Sequence, residues 1–133
     1  MDYTAAHAQS GIKSKLPKIE VWPNQFPNYE ITIVNTEYTS VCPKTGLPDH
    51  GTITIHYVPH KHCVELKSLR EYFLAYRNLG IFYENAINKI LGDVVAACKP
   101  RRARVRGEFT TRGGMHSIVE ASFPRPTSTR KPL

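Results

Sequence analysis

Alternation of apolar and polar side chains begins at residue 29. YEITIV sends Tyr29, Ile31 and Ile33 to one face and Glu30 and Thr32 to the other, a period of two that predicts a strand running to about residue 39. Residues 41–51 (VCPKTGLPDHG) hold two prolines and two glycines and read as an irregular loop. A second strand follows over residues 52–58 and is stopped by Pro59. From Glu65 the period changes. Leu66, Leu69, Phe73, Tyr76 and Gly80 recur at intervals of three and four, which predicts an amphipathic helix over 65–79 with Gly80 as its stop. A second helix over 82–98 buries Ile87, Ile90, Leu91, Val94, Val95 and Cys98 and ends at Pro100.

Alternation returns at 102–109, with Arg102, Arg104, Arg106 and Glu108 on one face and Ala103, Val105, Gly107 and Phe109 on the other. A TTRGG turn then leads into a fourth strand over 115–123. The order β-β-α-α-β-β predicts an α+β layer architecture: an antiparallel four-stranded sheet with two helices on one face. Residues 1–28 lack this periodicity and read as an extended arm with Trp22 and Phe26 as anchors. Residues 29–123 form one domain, and 124–133 a basic tail.

Charge changes the picture less than its total suggests. The 133 residues carry 18 Lys+Arg against 11 Asp+Glu, a formal net charge of +7. Five positive charges fall in residues 99–106 and three in the tail, and the remainder nets −1. The excess belongs to the periphery, so no direct nucleic-acid partner is expected despite the sign. No apolar run reaches the ~18–20 residues of a membrane span, and residues 1–15 lack the apolar centre of a signal peptide, so the expected compartment is the cytoplasm. Cys42, Cys63 and Cys98 make no CxxC pair. His56, His60 and His62 straddle a strand end and a turn and are read as a solvated loop, with no metal expected.

Cys42 and Asp49 share the Pro/Gly-rich loop, where a thiol beside a carboxyl group suits a nucleophile with a proton donor. Spacing alone favours a packed cysteine and a turn aspartate. Glu65 and Glu84 open the two helices, where the helix dipole already favours a carboxylate. They also suit a ligand's paired N–H groups. Arg112-Gly113-Gly114 offers a cation and flexible amides for phosphate, and is equally a hairpin turn. Cys63 and Cys98 are read as packing.

The runs CPKTGLPD (42–49) and VELKSL (64–69), together with Tyr76-Arg77-Asn78, Phe82-Tyr83-Glu84 and the Phe109 to Gly114 turn, resemble the NADPH-dependent 7-cyano-7-deazaguanine reductases in their short, single-domain form. The resemblance runs from about Trp22 to Phe123. It implies a tunnelling fold (T-fold) whose subunits close into a ring-shaped barrel, two pentameric rings stacking into a decamer with sites between subunits. It implies a four-electron reduction of the nitrile to the amine of 7-aminomethyl-7-deazaguanine, consuming two NADPH, within queuosine biosynthesis. Cys42 would form a covalent thioimide and Asp49 would protonate the nitrile nitrogen. Val64, Glu65, Leu66, Tyr83 and Glu84 would bind the substrate, and Lys67, Ser68 and Arg70 the cofactor, with Arg112 a further cation for its phosphates. Arg70, Glu71, Tyr83 and His50 depart from the family's usual residues. Two other functions share these features: an amidine-forming T-fold relative acting on the nitrile in tRNA, and a non-catalytic T-fold module that binds purines or nucleic acid.

Overall fold

A computed structural model describes residues 2–125. The basic tail falls outside the described residues from 126 onward. Six strands are present: β1 (Val21–Pro23), β2 (Ile31–Val41), β3 (Pro48–Val58), β4 (His62–Val64), β5 (Arg102–Phe109) and β6 (Ile118–Phe123). Three α-helices join them: α1 (Ala5–Gln9), α2 (Leu66–Leu74) and α3 (Tyr83–Cys98). The main sheet has the order β2-β3-β5-β6, antiparallel throughout, while β1 and β4 pair as a separate two-stranded sheet.

Period two places Tyr38, Ser40, Ile53, Ile55, Tyr57, Ala103, Val105 and Phe109 on the buried face of the main sheet. Leu69, Tyr72, Phe73 and Tyr76 meet them from the α2 side, and Ile87, Ile90, Leu91 and Val94 from α3. Ile53, Ile87 and Ile90 are fully buried, each worth ~1.5–3 kcal/mol of apolar transfer. The opposite face carries Arg106, which pairs with Glu108 at 3.3 Å and Glu120 at 3.1 Å.

Several expectations are corrected. The first strand reaches Val41, and the second starts at Pro48 rather than at residue 52. Proline fits the first position of a strand, where no ladder donor is needed, so a PDHG run with turn composition is already sheet. The expected helix over 65–79 is α2 followed by a tighter 3₁₀ turn, Ala75–Asn78, a common way for a helix to finish. The last strand begins at Ile118 rather than at residue 115. Trp22 and Phe26 are exposed, and Ile19 is the arm's buried residue. His56 sits on β3, 2.5 Å from Glu30, and His62 sits on β4, so the histidines are not one solvated loop. Among the described residues, no helix is long and apolar enough to cross a membrane.

Candidate active site

The 42–47 loop leaves β2 and returns as β3. Its ends are tied by Cys42 N–H to the Leu47 carbonyl and by Gly46 N–H to the Cys42 carbonyl, both at 2.9 Å. Gly46 adopts a φ of 73°, the left-handed conformation glycine accepts without strain. Val41, the preceding residue, exchanges 3.0 Å backbone bonds with Leu79 and Ile81, which fixes the loop against the segment entering α3. The Cys42 thiol is half-buried. Burial and, less strongly, the nearby Asp49 charge raise its proton affinity, but hydrogen bonds from the Thr45 hydroxyl and the backbone N–H groups of Thr45 and Lys44 outweigh them. The thiol is held below its ordinary value.

Asp49 lies opposite Ser40 in the β2/β3 register and is 6% exposed. Burial raises its carboxyl above the usual carboxylate range, against the opposing pull of the Arg112 charge and the Tyr83 hydroxyl. Tyr83 donates to Oδ1 at 3.2 Å, and Arg112 Nη1 stands 3.5 Å from the same oxygen. Arg112 also donates to the Pro48 carbonyl, tying the 110–115 turn to the start of β3. The Tyr83 ring stacks on Phe109 with centroids 3.9 Å apart and planes at 11°. Phe109 closes β5 and Tyr83 opens α3, so this stack sets where the tyrosine hydroxyl points. A thiol held below its ordinary value and a carboxyl held above its ordinary range thus share one end of the sheet. That is the pairing that nucleophilic addition with proton delivery needs.

The second group of expected residues lies elsewhere. Val64 is buried on β4 and donates its N–H to the Tyr57 hydroxyl at 2.9 Å. Tyr57 is eight residues along β3 from Asp49, roughly 25 Å of strand. Glu65 caps α2, accepting from Lys67 N–H at 2.7 Å and Ser68 N–H at 2.9 Å, and these donors hold its carboxyl below the ordinary range. The Ser68 hydroxyl is buried in the same cap, donating to the Glu65 carbonyl at 2.9 Å and accepting from Glu20 N–H at 2.8 Å. Leu66, Lys67 and Arg70 are exposed. Glu84 is exposed on the first turn of α3, beside Tyr83. Of the expected site residues, the fold brings together Cys42, Asp49, Tyr83, Glu84 and Arg112 at one end. It places Val64, Glu65, Leu66, Lys67, Ser68 and Arg70 at the other.

An apolar groove of about 530 Å³ runs between β2 and α2, lined by Ile33, Val34, Leu66, Leu69 and Phe73 with Arg70 and Arg77 among its walls. Apolar walls for a flat ring, with guanidinium groups for phosphate, fit a dinucleotide. Reading the sequence missed the stacking role of Phe109 and the thiol contact of Thr45. The signals were present, in the apolar face of 102–109 and the threonine three residues after Cys42.

Comparison with known proteins places the chain in a family. The sequence profile described as QueF-like protein matches residues 48–128. A protein of Elusimicrobium minutum, named NADPH-dependent 7-cyano-7-deazaguanine reductase, is 56% identical over 124 residues, 92% of this chain and 94% of its own length. The chain belongs to the QueF-like family. A second member bearing the same name, from Chlorobaculum tepidum, is 58% identical over 109 residues, 80% of this chain and 93% of its own. The crystal structure of the archaeosine synthase QueF-Like in the apo form shares the fold with a TM-score of 0.65 at 22% identity, covering 70% of this chain and 91% of that one. The resemblance read from CPKTGLPD and VELKSL therefore holds for most of the chain, and the QueF-like fold carries the Cys42/Asp49 end within a single subunit.

Proposed function

We propose that this protein reduces the nitrile of 7-cyano-7-deazaguanine to the primary amine, with NADPH as reductant, as a step of queuosine biosynthesis. The carrying observation is the placement of Cys42, on a loop tied at both ends, at the same end of the sheet as a buried Asp49 held by Tyr83 and Arg112. The Cys42 thiolate adds to the nitrile carbon, forming a C–S bond. The displaced C–N electron pair takes the Asp49 proton, giving a thioimide. Both polar contacts of Asp49 fall on Oδ1, so Oδ2 is the oxygen left to carry that proton. Arg112 then faces the carboxylate that remains, and Tyr83 keeps it oriented. When bound, NADPH would supply one hydride, so two NADPH in succession, with protons from solvent, would take the thioimide to the amine. Lys67, Arg70 and the groove between β2 and α2 would hold it. Release of the Cys42 thiolate, once the carbon is reduced, restores the loop, whose Lys44 and Thr45 N–H groups again stabilise the sulfur charge.

Glu65 and Glu84 recognise the guanine-like N–H edge through charge-assisted hydrogen bonds. The two lie on different ends of one chain, so the reading requires a site built by two subunits. Among the described residues, β2 and β6 each have one neighbour in the main sheet, leaving edges that a second copy can extend. The resemblance implies a T-fold ring, and a decamer of two pentameric rings, as the assembly in which one chain's Cys42 end would meet the Glu65 end of the next.

The deciding experiment mixes Cys42→Ala with Glu65→Ala, each inactive alone, after joint unfolding and refolding. Random assembly leaves both residues intact in about a quarter of two-subunit sites, so about a quarter of wild-type NADPH oxidation returns. No recovery, with mixed oligomers verified by mass, refutes the shared site. If wild-type protein forms a Cys42 adduct with the nitrile but never oxidises NADPH, the amidine-forming alternative replaces the reductase.

A further inference from the structure

Residues 2–11, which contain α1, precede every strand, yet they pack onto the Cys42 end. The Lys44 ammonium donates to the Asp2 carbonyl at 2.8 Å and stands 5.6 Å above the Tyr3 ring. Tyr3 in turn packs on Phe82, the residue before Tyr83, with centroids 5.8 Å apart. The Ser10 hydroxyl donates to the Gly80 carbonyl at 2.7 Å, and Asn85 Nδ2 on α3 donates to the Ala8 carbonyl at 2.6 Å. Gly11 closes the contact: at φ 80° its Cα passes so near that a Cβ would lie 2.6 Å from the Gly80 oxygen and 2.9 Å from the Ile81 Cβ. A short segment is thereby fastened both to the 42–47 loop and to the entry of α3, the two pieces that carry the nucleophile and Tyr83.

We infer that residues 2–11 are a positioning strap for the Cys42 nucleophile, gripping Lys44 and the entry of α3 so that the 42–47 loop stays fixed beside Tyr83. Lys44 is the link: its side chain is held by the Asp2 carbonyl and the Tyr3 ring, and it stands two residues after Cys42 in the loop. Polar contacts distribute along the strap from Asp2 to Ser10, and the loop contributes a lysine where spacing alone demands no charge. Among the described residues, Lys44 has no acidic partner, so its ammonium is satisfied by the strap's carbonyl and aromatic face. Freed of the strap, the loop keeps, among the described residues, its three internal hydrogen bonds and the ties of Val41.

The inference rests on Cys42 being the nucleophile, and the test reads the thiol itself rather than turnover. The pH dependence of iodoacetamide alkylation at Cys42, located by peptide mass spectrometry, is measured for the full chain, for Gly11→Val, for Lys44→Met and for a chain lacking residues 2–11. Loss of one donor's alignment moves the alkylation midpoint upward by roughly 0.4–1 pH unit, the fold-change of one hydrogen bond. Cooperative thermal unfolding is retained in the point variants. Unchanged midpoints in both folded point variants overturn the strap, whatever happens to melting temperature, because a merely structural contact would lower the melting point and leave the thiol's titration where it was. A shifted midpoint in a protein that fails to oxidise NADPH leaves the strap standing and removes the reductase reading instead.

Discussion

Gly51→Ala tests whether the Asp49 carboxyl is held through the stacked rings behind it. Gly51 lies two residues after Asp49 on β3 and opposes Phe109 on β5. An added Cβ would sit 2.7 Å from the Glu108 carbonyl oxygen and 2.7 Å from Phe109 Cδ1, where ordinary contacts begin near 3.4 Å. Neither neighbour yields easily. The carbonyl belongs to a central strand paired on both sides, and the ring is wedged between Tyr38, at 6.0 Å edge-on, and Tyr83, at 3.9 Å face-on. Phe109 must therefore move by about 0.7 Å or β5 must bow, an overpacking strain of about 1–3 kcal/mol. Tyr83 follows its stacking partner, which takes its hydroxyl off the 3.2 Å contact with Asp49. A shift of that size at a reacting group slows the chemical step by up to ~10²-fold. Urea unfolding reads the strain, and single-turnover formation of the Cys42 adduct, followed by mass, reads the misalignment. Stability within about 0.5 kcal/mol of wild type, together with an unchanged adduct rate, would refute the coupling.

Tyr83→Phe keeps the stack and deletes the hydroxyl. Because that hydroxyl stabilises the Asp49 carboxylate, the carboxyl rises further, and the lower apparent pKa in the pH profile of adduct formation moves up. Asp49→Asn slows adduct formation by ~10²–10⁴-fold in single-turnover assays, the usual worth of a placed acid. The same substitution changes the pH dependence of stability. Asp49 has a folded-state value above its unfolded value of 3.8, so its contribution is complete below 3.8 and is lost as pH rises through the folded value. Asn cannot ionise, so the melting temperature of the variant gains on wild type across that rise, as thermal melts at stepped pH will read.

Much of the fold is written in local periodicity, because alternation at two and recurrence at three and four are carried by residues close in sequence. The β-β-α-α-β-β order and the two core stripes follow from it, and they agree with the α+β architecture. Boundaries were less legible. Pro48-Asp49 has turn composition, but its place on β3 comes from pairing with Val41 and Ser40, partners supplied by the return of the chain. The β1/β4 pair was not visible, since three-residue strands carry too few positions to show a period.

The sequence by itself determined the elements, the family and the identity of a thiol and an acid within eight residues. Only the tertiary structure decided how they are tuned. Asp49 is raised because the sheet buries it, and Cys42 is lowered because a loop only six residues long turns N–H groups toward the sulfur. It also decided that Glu65 caps a helix far along β3 from Cys42, and that residues 2–11 return to grip Lys44. These are consequences of register and long-range packing, which depend on partners distant in the chain and leave no periodic trace along it.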